Sequence, residues 1–224
     1  MSKQKISFEA INGWRPKLVM FDLDGTLIDT MGHFADLASE LIARDYGMPR
    51  DQARRRYLET SGIPLRQQLE VIFPEHQQND ATGNEYESRK GVFCTEATMD
   101  ESTVAALQSL RDRGYSLVVS SNSAQHFVDD FAQRAPVNFD LALGFGSGLA
   151  KGESHVEQVE RHLEVRAADT LFVGDSIKDG ELAHGCGQRF AGVVGTFERQ
   201  TFLENYGAMT VVDCIADLAE ILEA

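Results

Sequence analysis

Two carboxylates, Asp22 and Asp24, follow an apolar run, Leu18-Val19-Met20-Phe21, and sit against the turn residue Gly25. Side chains at i and i+2 of an extended segment share a face, so both acids can act on one ligand. Held that close, they repel by roughly 4 kcal/mol at about 4 Å under surface-like screening. A cation, a shared proton or solvent must separate them. The segment reads either as a reactive acidic pair or as an ordinary strand-to-turn junction, where Asp and Gly are common. An EF-hand loop fits poorly, because its oxygen ligands recur at regular spacing before the glycine. Here an apolar strand comes first.

Three further segments carry groups of related chemistry. Leu117-Val118-Val119-Ser120 runs into Ser121 and Asn122 ahead of a helix. A small hydroxyl with backbone N–H groups at a helix start suits a phosphate oxygen, and a simple helix cap by Ser121 or Ser123 is the plainer alternative. Lys151 lies in the glycine-rich stretch 144–152, just before another helix. That stretch is not a nucleotide P-loop, since Ala150 replaces the glycine before the lysine and Gly152 the Ser or Thr after it. Lys151 is then either a solvated loop lysine or a cation beside a phosphate site. Last, Leu171-Phe172-Val173 leads into Gly174-Asp175-Ser176, with Asp179 four residues after Asp175. These acids are spaced for one ligand cluster, or for capping the next helix. Four carboxylates against one lysine would reject a phosphate dianion. Mg²⁺ on hard oxygen ligands removes that obstacle.

Elements able to position these groups are legible around them. From Val104 onward, helical and strand patterns alternate: a helix closed by Gly114, a strand 116–120, a helix around 127–131 and a short strand 139–143. A helix through Val156, Val159 and Leu163, a strand 170–173, a helix near Glu181, a strand 190–194, a strand near Val211 and a final helix with Ile215, Leu218 and Ile221 follow. Such alternation predicts an α/β fold with a doubly wound parallel sheet. Ligands of such sheets bind beyond the carboxyl ends of the strands, where each motif lies. Between the first strand and this series, residues 31–97 read as helical pieces, with Arg54, Arg55 and Arg56 on a solvated face and 79–84 as a loop. The expected organisation is a Rossmann-like core of residues 1–30 and 98–224 with an inserted all-helical cap domain at 31–97.

With 224 residues and 42% hydrophobic content, the chain can bury a sizeable core. Its net charge of −14 argues against nonspecific nucleic-acid binding and against anionic membranes. Cys94, Cys186 and Cys214 show no paired spacing for disulfides or zinc. No apolar run reaches the roughly 20 residues that span a bilayer, and Met1–Ala10 lacks a signal-peptide apolar region. A soluble cytoplasmic protein is expected, and its oligomeric state is not legible.

From Lys17 onward, the four motifs in this order resemble the haloacid dehalogenase superfamily, specifically its phosphatase branch with a helical cap, of the phosphoglycolate phosphatase and beta-phosphoglucomutase type. The resemblance implies that Asp22 is the nucleophile forming an aspartyl-phosphate and Asp24 the general acid and then base. Ser121, Asn122 and Lys151 would hold the phosphoryl group, with Gly25 and Thr26 shaping the acidic turn beside it. Asp22, the backbone carbonyl of Asp24 and Asp175 would bind Mg²⁺, supported by Asp179 and Ser176. Dehalogenases of this superfamily lack an acid two residues after the nucleophile, which favours the phosphatase branch.

The implied partner is a small phosphorylated metabolite. Its specificity would lie in the cap stretch 60–66, through Gly62 and Arg66, and at His33 near the cap entrance. Arg66 and His33 read equally well as ordinary surface residues. His126, His155 and His184 lack metal-ligand spacing and are read as structural or exposed, and Trp14 and Phe8 as packing a flanking segment. Two other functions share these motifs. A phosphomutase would retain the aspartyl-phosphate, and a receiver-like phospho-switch would use similar groups without catalysis, although a switch needs neither the cap nor the second aspartate.

Overall fold

The computed structural model describes residues 14–206 and 210–223. Phe8 lies outside the described residues. In chain order the elements are β1 (Leu18–Phe21), α1 (Met31–Tyr46), α2 (Arg50–Glu59), α3 (Leu65–Ile72), α4 (Asn79–Glu96), α5 (Glu101–Asp112), β2 (Ser116–Ala124) and α6 (Gln125–Arg134). Then come β3 (Leu141–Phe145), α7 (Glu153–Leu163), β4 (Thr170–Gly174), α8 (Ile177–Gly185), β5 (Arg189–Val193), α9 (Arg199–Tyr206), β6 (Thr210–Val212) and α10 (Ile215–Glu223).

The six strands form one parallel sheet in the order β3-β2-β1-β4-β5-β6. Both of its faces are covered, which is why its strands read as unbroken apolar runs. Along β1, Val19 and Phe21 face one cluster, with Leu107, Leu110, Leu218 and Leu222 of α5 and α10. Leu18 and Met20 face the other, with Val159 of α7, Ala183 of α8 and Phe202 of α9. Trp14 packs on the edge of the first cluster, and its ring lies 4.2 Å from the Arg189 guanidinium. The sequence pattern had not marked α9.

Phe21, the last residue of β1, pairs in register with Val119 of β2 and Val173 of β4. The chain leaves β1 towards β2 and β3, then returns to β4 on the other side. This reversal opens a crevice at the carboxyl end of β1, flanked by the ends of β2 and β4.

Helices α1–α4 hold a separate apolar cluster, built on Phe34, Leu41, Ile42, Tyr57, Leu69 and Tyr86. The segment 79–84, expected as a loop, is the first part of helix α4. Two of its small polar residues, Asn79 and Thr82, are buried and bonded rather than turning. Asn79 donates to Glu70 Oε1 (2.8 Å) and to the Phe73 carbonyl (2.9 Å) and accepts from Tyr46 Oη. Thr82 donates to Asp45 Oδ2 at 2.7 Å. Tertiary partners here override a local composition that favours turns.

His155 on α7 is fully buried and ties two strands together. Its Nδ1 lies 2.8 Å from Ser120 Oγ of β2 and its Nε2 3.1 Å from the Gly144 carbonyl of β3. The neutral ring with its proton on Nε2 satisfies both contacts. Burial pushes its pKa down to about 4, from an ordinary 6.5. The unfolded chain therefore takes up this proton first. Stability from the neutral ring is complete above about pH 6.5 and is lost as pH falls towards about 4. Urea unfolding midpoints measured at about pH 7.5 and about pH 5 should fall more in the wild type than in His155→Gln.

Candidate active site

Each motif reaches the crevice because a strand or helix end delivers it there. Asp22 follows β1, and its backbone N–H donates to the Val173 carbonyl of β4 at 2.8 Å, so the two strand ends are locked side by side. Gly25 turns the chain at φ 86°, and a Cβ there would strike the Asp175 carboxylate. Asp175 follows β4 and accepts a short hydrogen bond from Thr196 Oγ1. Asp179 closes a capping box at the start of α8. Its Oδ2 accepts from Ser176 Oγ (2.7 Å) and the Ser176 N–H (3.1 Å), and its own N–H donates to Ser176 Oγ.

Carboxylate oxygens of Asp22, Asp175 and Asp179 all lie within 4.8 Å of one another, and all three side chains are buried. Lys151 reaches into the same space from the turn before α7. Its Nζ donates to Asp22 Oδ1 at 2.6 Å and to Asp179 Oδ1 at 2.8 Å. Fully ionised, three carboxylates against one ammonium leave two negative charges out of water. Burial, with the charges of Asp179 and Asp24, pushes Asp22 up to about 7 despite Lys151. Burial also drives Asp175 well above the carboxylate range, reinforced by Asp22 and Asp179. Burial disfavours the Lys151 ammonium, but Asp179 and Asp22 outweigh it and hold its pKa above that of an ordinary lysine. The surplus matches the charge of one divalent cation, and an all-oxygen donor set suits a hard one.

The remaining motif lines the other wall. Ser121 Oγ accepts from the Ser123 N–H at 2.9 Å, and Asn122 Oδ1 accepts from the Lys151 N–H at 3.3 Å. Asn122 Nδ2 also crosses to the helical insert, donating to the Gly62 carbonyl at 2.9 Å. Asp24 is held at both oxygens, by Thr30 Oγ1 (2.9 Å) and Ser123 Oγ (2.5 Å).

These groups enclose a cavity of about 60 Å³ whose walls include Asp22, Asp24, Ser121, Asn122, Lys151 and Asp175. Gly62, Gln68, Glu87 and Lys90 close it from the insert. Gln68 braces the loop at its mouth, accepting from Thr60 Oγ1 and donating to the Ile63 carbonyl, each at 2.9 Å. A larger cavity of about 850 Å³ shares Pro64, Glu87 and Asn122 with the small one.

Not every sequence candidate reaches the carboxylates. Arg66 is exposed, pairs with Asp80 at 2.6 Å and borders only the larger cavity. The His33 ring stacks on Phe93, with centroids 5.3 Å apart, and lines neither cavity. Thr26 is buried in the acidic turn, and its hydroxyl has no hydrogen-bond partner among the described residues. Conversely, sequence reasoning passed over Thr30, Thr196, Gln68 and above all Lys90. Ser123 was legible beside Ser121 but read only as a cap. Lys90 sits on a helix with polar residues on every side, so nothing in its spacing marks it.

Residues 19–193 match the family described as haloacid dehalogenase-like hydrolase. The chain belongs to that family. It is similar to pyrophosphatase PpaX of Anoxybacillus flavithermus, at 26% identity over 91% of this chain and 95% of that protein. It is also similar to N-acetylmuramic acid 6-phosphate phosphatase of Pseudomonas putida, at 25% identity over 94% and 97%. Among solved structures, a putative phosphoglycolate phosphatase from Lactobacillus delbrueckii superposes with a TM-score of 0.78 at 22% identity, covering 93% of this chain and 98% of that one. The chain is thus a hydrolase of the phosphatase type within its family.

Gly62 is a point where the insert meets the core tightly. Its φ of 93° is left-handed, and a Cβ would come within 2.5 Å of Ser176 Oγ and 2.6 Å of Lys178 Cβ. The strained backbone of Gly62→Ala costs about 1–2 kcal/mol, and the clash holds the loop off the core. Gly62→Ala should lower kcat/KM by roughly tenfold, with the thermal midpoint changing by only a few degrees.

Proposed function

We propose that this hydrolase is a Mg²⁺-dependent phosphatase that cleaves a small-molecule phosphomonoester through an aspartyl-phosphate on Asp22. Residues 31–97 act as a cap over a catalytic core formed by 1–30 and 98–224. The observation that carries this reading is the buried cluster of Asp22, Asp175 and Asp179 against Lys151. A nucleophilic carboxylate facing a phosphate dianion needs positive charge beside it, which Lys151 supplies in part and a divalent cation among the acids would complete.

In this reading Asp22, Asp175 and the backbone carbonyl of Asp24 hold Mg²⁺, with Asp179 alongside. Bound there, the ion would neutralise charge on the carboxylates and on an incoming phosphate. Lys151 fixes one oxygen of Asp22, and the other attacks phosphorus. As the Asp22–phosphorus bond forms, the ester oxygen leaves with a proton from Asp24. The leaving alcohol departs, and a water takes its place. Asp24, now ionised, accepts a proton from that water as its oxygen attacks the phosphoryl group, releasing phosphate and restoring Asp22. Ser121 and Asn122 line the path of the phosphoryl group, and Asn122 also ties it to the closed cap through Gly62.

The small cavity has room for a few waters or one phosphoryl group. The adjoining one lies within the range of small-ligand sites. Substrate choice then falls to the cap side, in keeping with relatives named for different phosphorylated compounds. No helix among the described residues is long and apolar enough to cross a membrane.

Phosphate release from a panel of phosphorylated sugars, glycolate, nucleotides and aryl phosphates with Mg²⁺ tests the activity. Asp22→Asn should lower turnover by at least roughly 10³-fold while leaving the circular dichroism spectrum unchanged, since it removes the group that carries the covalent step. Acid-quenched wild-type enzyme should carry phosphate on the peptide containing Asp22. Turnover retained by the variant would overturn the reading. Chelation should stop turnover, and Mg²⁺ should raise the melting temperature of the wild type but not of Asp175→Asn. Full activity after exhaustive chelation would remove the metal from the scheme.

A further inference from the structure

Glu87 stands where the two cavities meet. It projects from α4, is part-buried, and lines both the small cavity at the acids and the larger one beside it. Among the described residues its carboxylate makes no hydrogen bond and no ion pair, and only the more distant charges of Lys90 and Asp24 act on it. Ser61, from the loop between α2 and α3, lines the small cavity as well. It is 6% exposed, and its hydroxyl has no hydrogen-bond partner among the described residues. A polar group taken out of water without a partner costs free energy. Both groups belong to the insert, on the side where the leaving group of a substrate must lie once its phosphoryl group faces Asp22. A hydroxyl or amine on that leaving group would give each its missing partner.

Each lysine and arginine lining the two cavities is already committed. Lys151 is held between Asp22 and Asp179. Lys90 donates to Ser123 Oγ at 2.8 Å, and its Nζ stands 3.6 Å from Asp24 Oδ2. With Asp24 ionised, Asp24 and Glu87 together outweigh the charge of Lys90. With Asp24 protonated, ready to release the ester oxygen, Lys90 and Glu87 merely balance. In the larger cavity Arg66 pairs with Asp80 at 2.6 Å, Glu70 adds another acid, and the His126 ring packs on Phe127 with centroids 3.9 Å apart. A carboxylate on the leaving group would thus meet Glu87 with no surplus of positive charge to receive it, and such like-charge encounters are strongly disfavoured.

We propose that Glu87 selects the substrate by charge, so that the enzyme takes phosphate esters of uncharged or ammonium-bearing alcohols and rejects those whose alcohol carries a carboxylate. This rests on the reading of the site as that of a phosphatase and adds the chemical class of the leaving group. Rejection here comes from a repulsive group built into the wall, which discriminates as effectively as an added attraction.

Three small esters that differ only at one end test this. Phosphoglycolate ends in a carboxylate, 2-hydroxyethyl phosphate in a hydroxyl and 2-aminoethyl phosphate in an ammonium. At about pH 8, where ordinary carboxylates are ionised and ordinary alkylamines protonated, wild-type kcat/KM should be at least roughly tenfold lower for phosphoglycolate than for either of the others. Glu87→Gln has nearly the same size without the charge. In it the ratio of kcat/KM for 2-hydroxyethyl phosphate to that for phosphoglycolate should fall roughly tenfold, and the ratio for 2-aminoethyl over 2-hydroxyethyl phosphate should fall as well. An ester cleaved too slowly to measure is ranked by its inhibition constant against 4-nitrophenyl phosphate.

A merely structural role for Glu87 would weaken all three esters alike and leave both ratios unchanged. Glu87→Ala stands in if Glu87→Gln does not fold. Unchanged ratios in the variant, or a wild type that treats phosphoglycolate as well as the other two, would overturn the proposal while leaving the phosphatase reading intact. Failure of the wild type to cleave any phosphate ester would instead overturn the reading on which it rests.

Discussion

Negative charge held out of water is the constraint around which this molecule is built. Asp22 converges with Asp175 and Asp179 from two chain segments, and Lys151, from a third, offsets part of their charge. Such a cluster survives only where the backbone leaves it no room to spread. The paired ends of β1 and β4, the turn at Gly25 beneath Asp175 and the capping box of α8 supply that confinement. The electrostatic strain is the useful property. In the proposed reading, a site short of positive charge takes up a cation, and the cation would make a phosphate dianion an acceptable neighbour.

The same accounting extends to the helical insert. Its own apolar cluster stabilises the four helices, and some of the polar groups it turns towards the core are bonded there. Asn122 bonds the Gly62 carbonyl, Gly62 lies against Ser176, and Lys90 meets Ser123 and Asp24. The helical insert therefore completes bonds at the acidic site. In the proposed reading, substrate selection falls to the surfaces on that side, since the core groups would touch only the part common to all phosphate esters. Relatives with similar coverage but differently named activities fit this division of labour.

Much of this was legible in the chain, for physical reasons. A parallel sheet covered on both faces demands continuous apolar strands, and each ends at a point where the backbone must turn; the acids, hydroxyl and lysine stand at those points. Sequence order alone therefore places Asp22, Ser121, Lys151 and Asp175 on one rim of the sheet, with helices on either side and a helical segment inserted after the first strand. Local patterns failed where tertiary burial changed a residue's meaning. Asn79 and Thr82 favour turns in isolation but are satisfied inside a helix by Glu70, Phe73 and Asp45.

Strand patterning, turn chemistry and charge thus determined the α/β architecture, the order of the motifs and the excess of acids that converge on one rim of the sheet. Only the folded arrangement decided which side chains meet. It set Arg66 and His33 away from the carboxylates, and it brought Lys90 to Asp24 across 66 positions of sequence. The reason is that periodicity records which face of an element is buried, whereas the approach of one helix to a distant strand end depends on how whole layers pack.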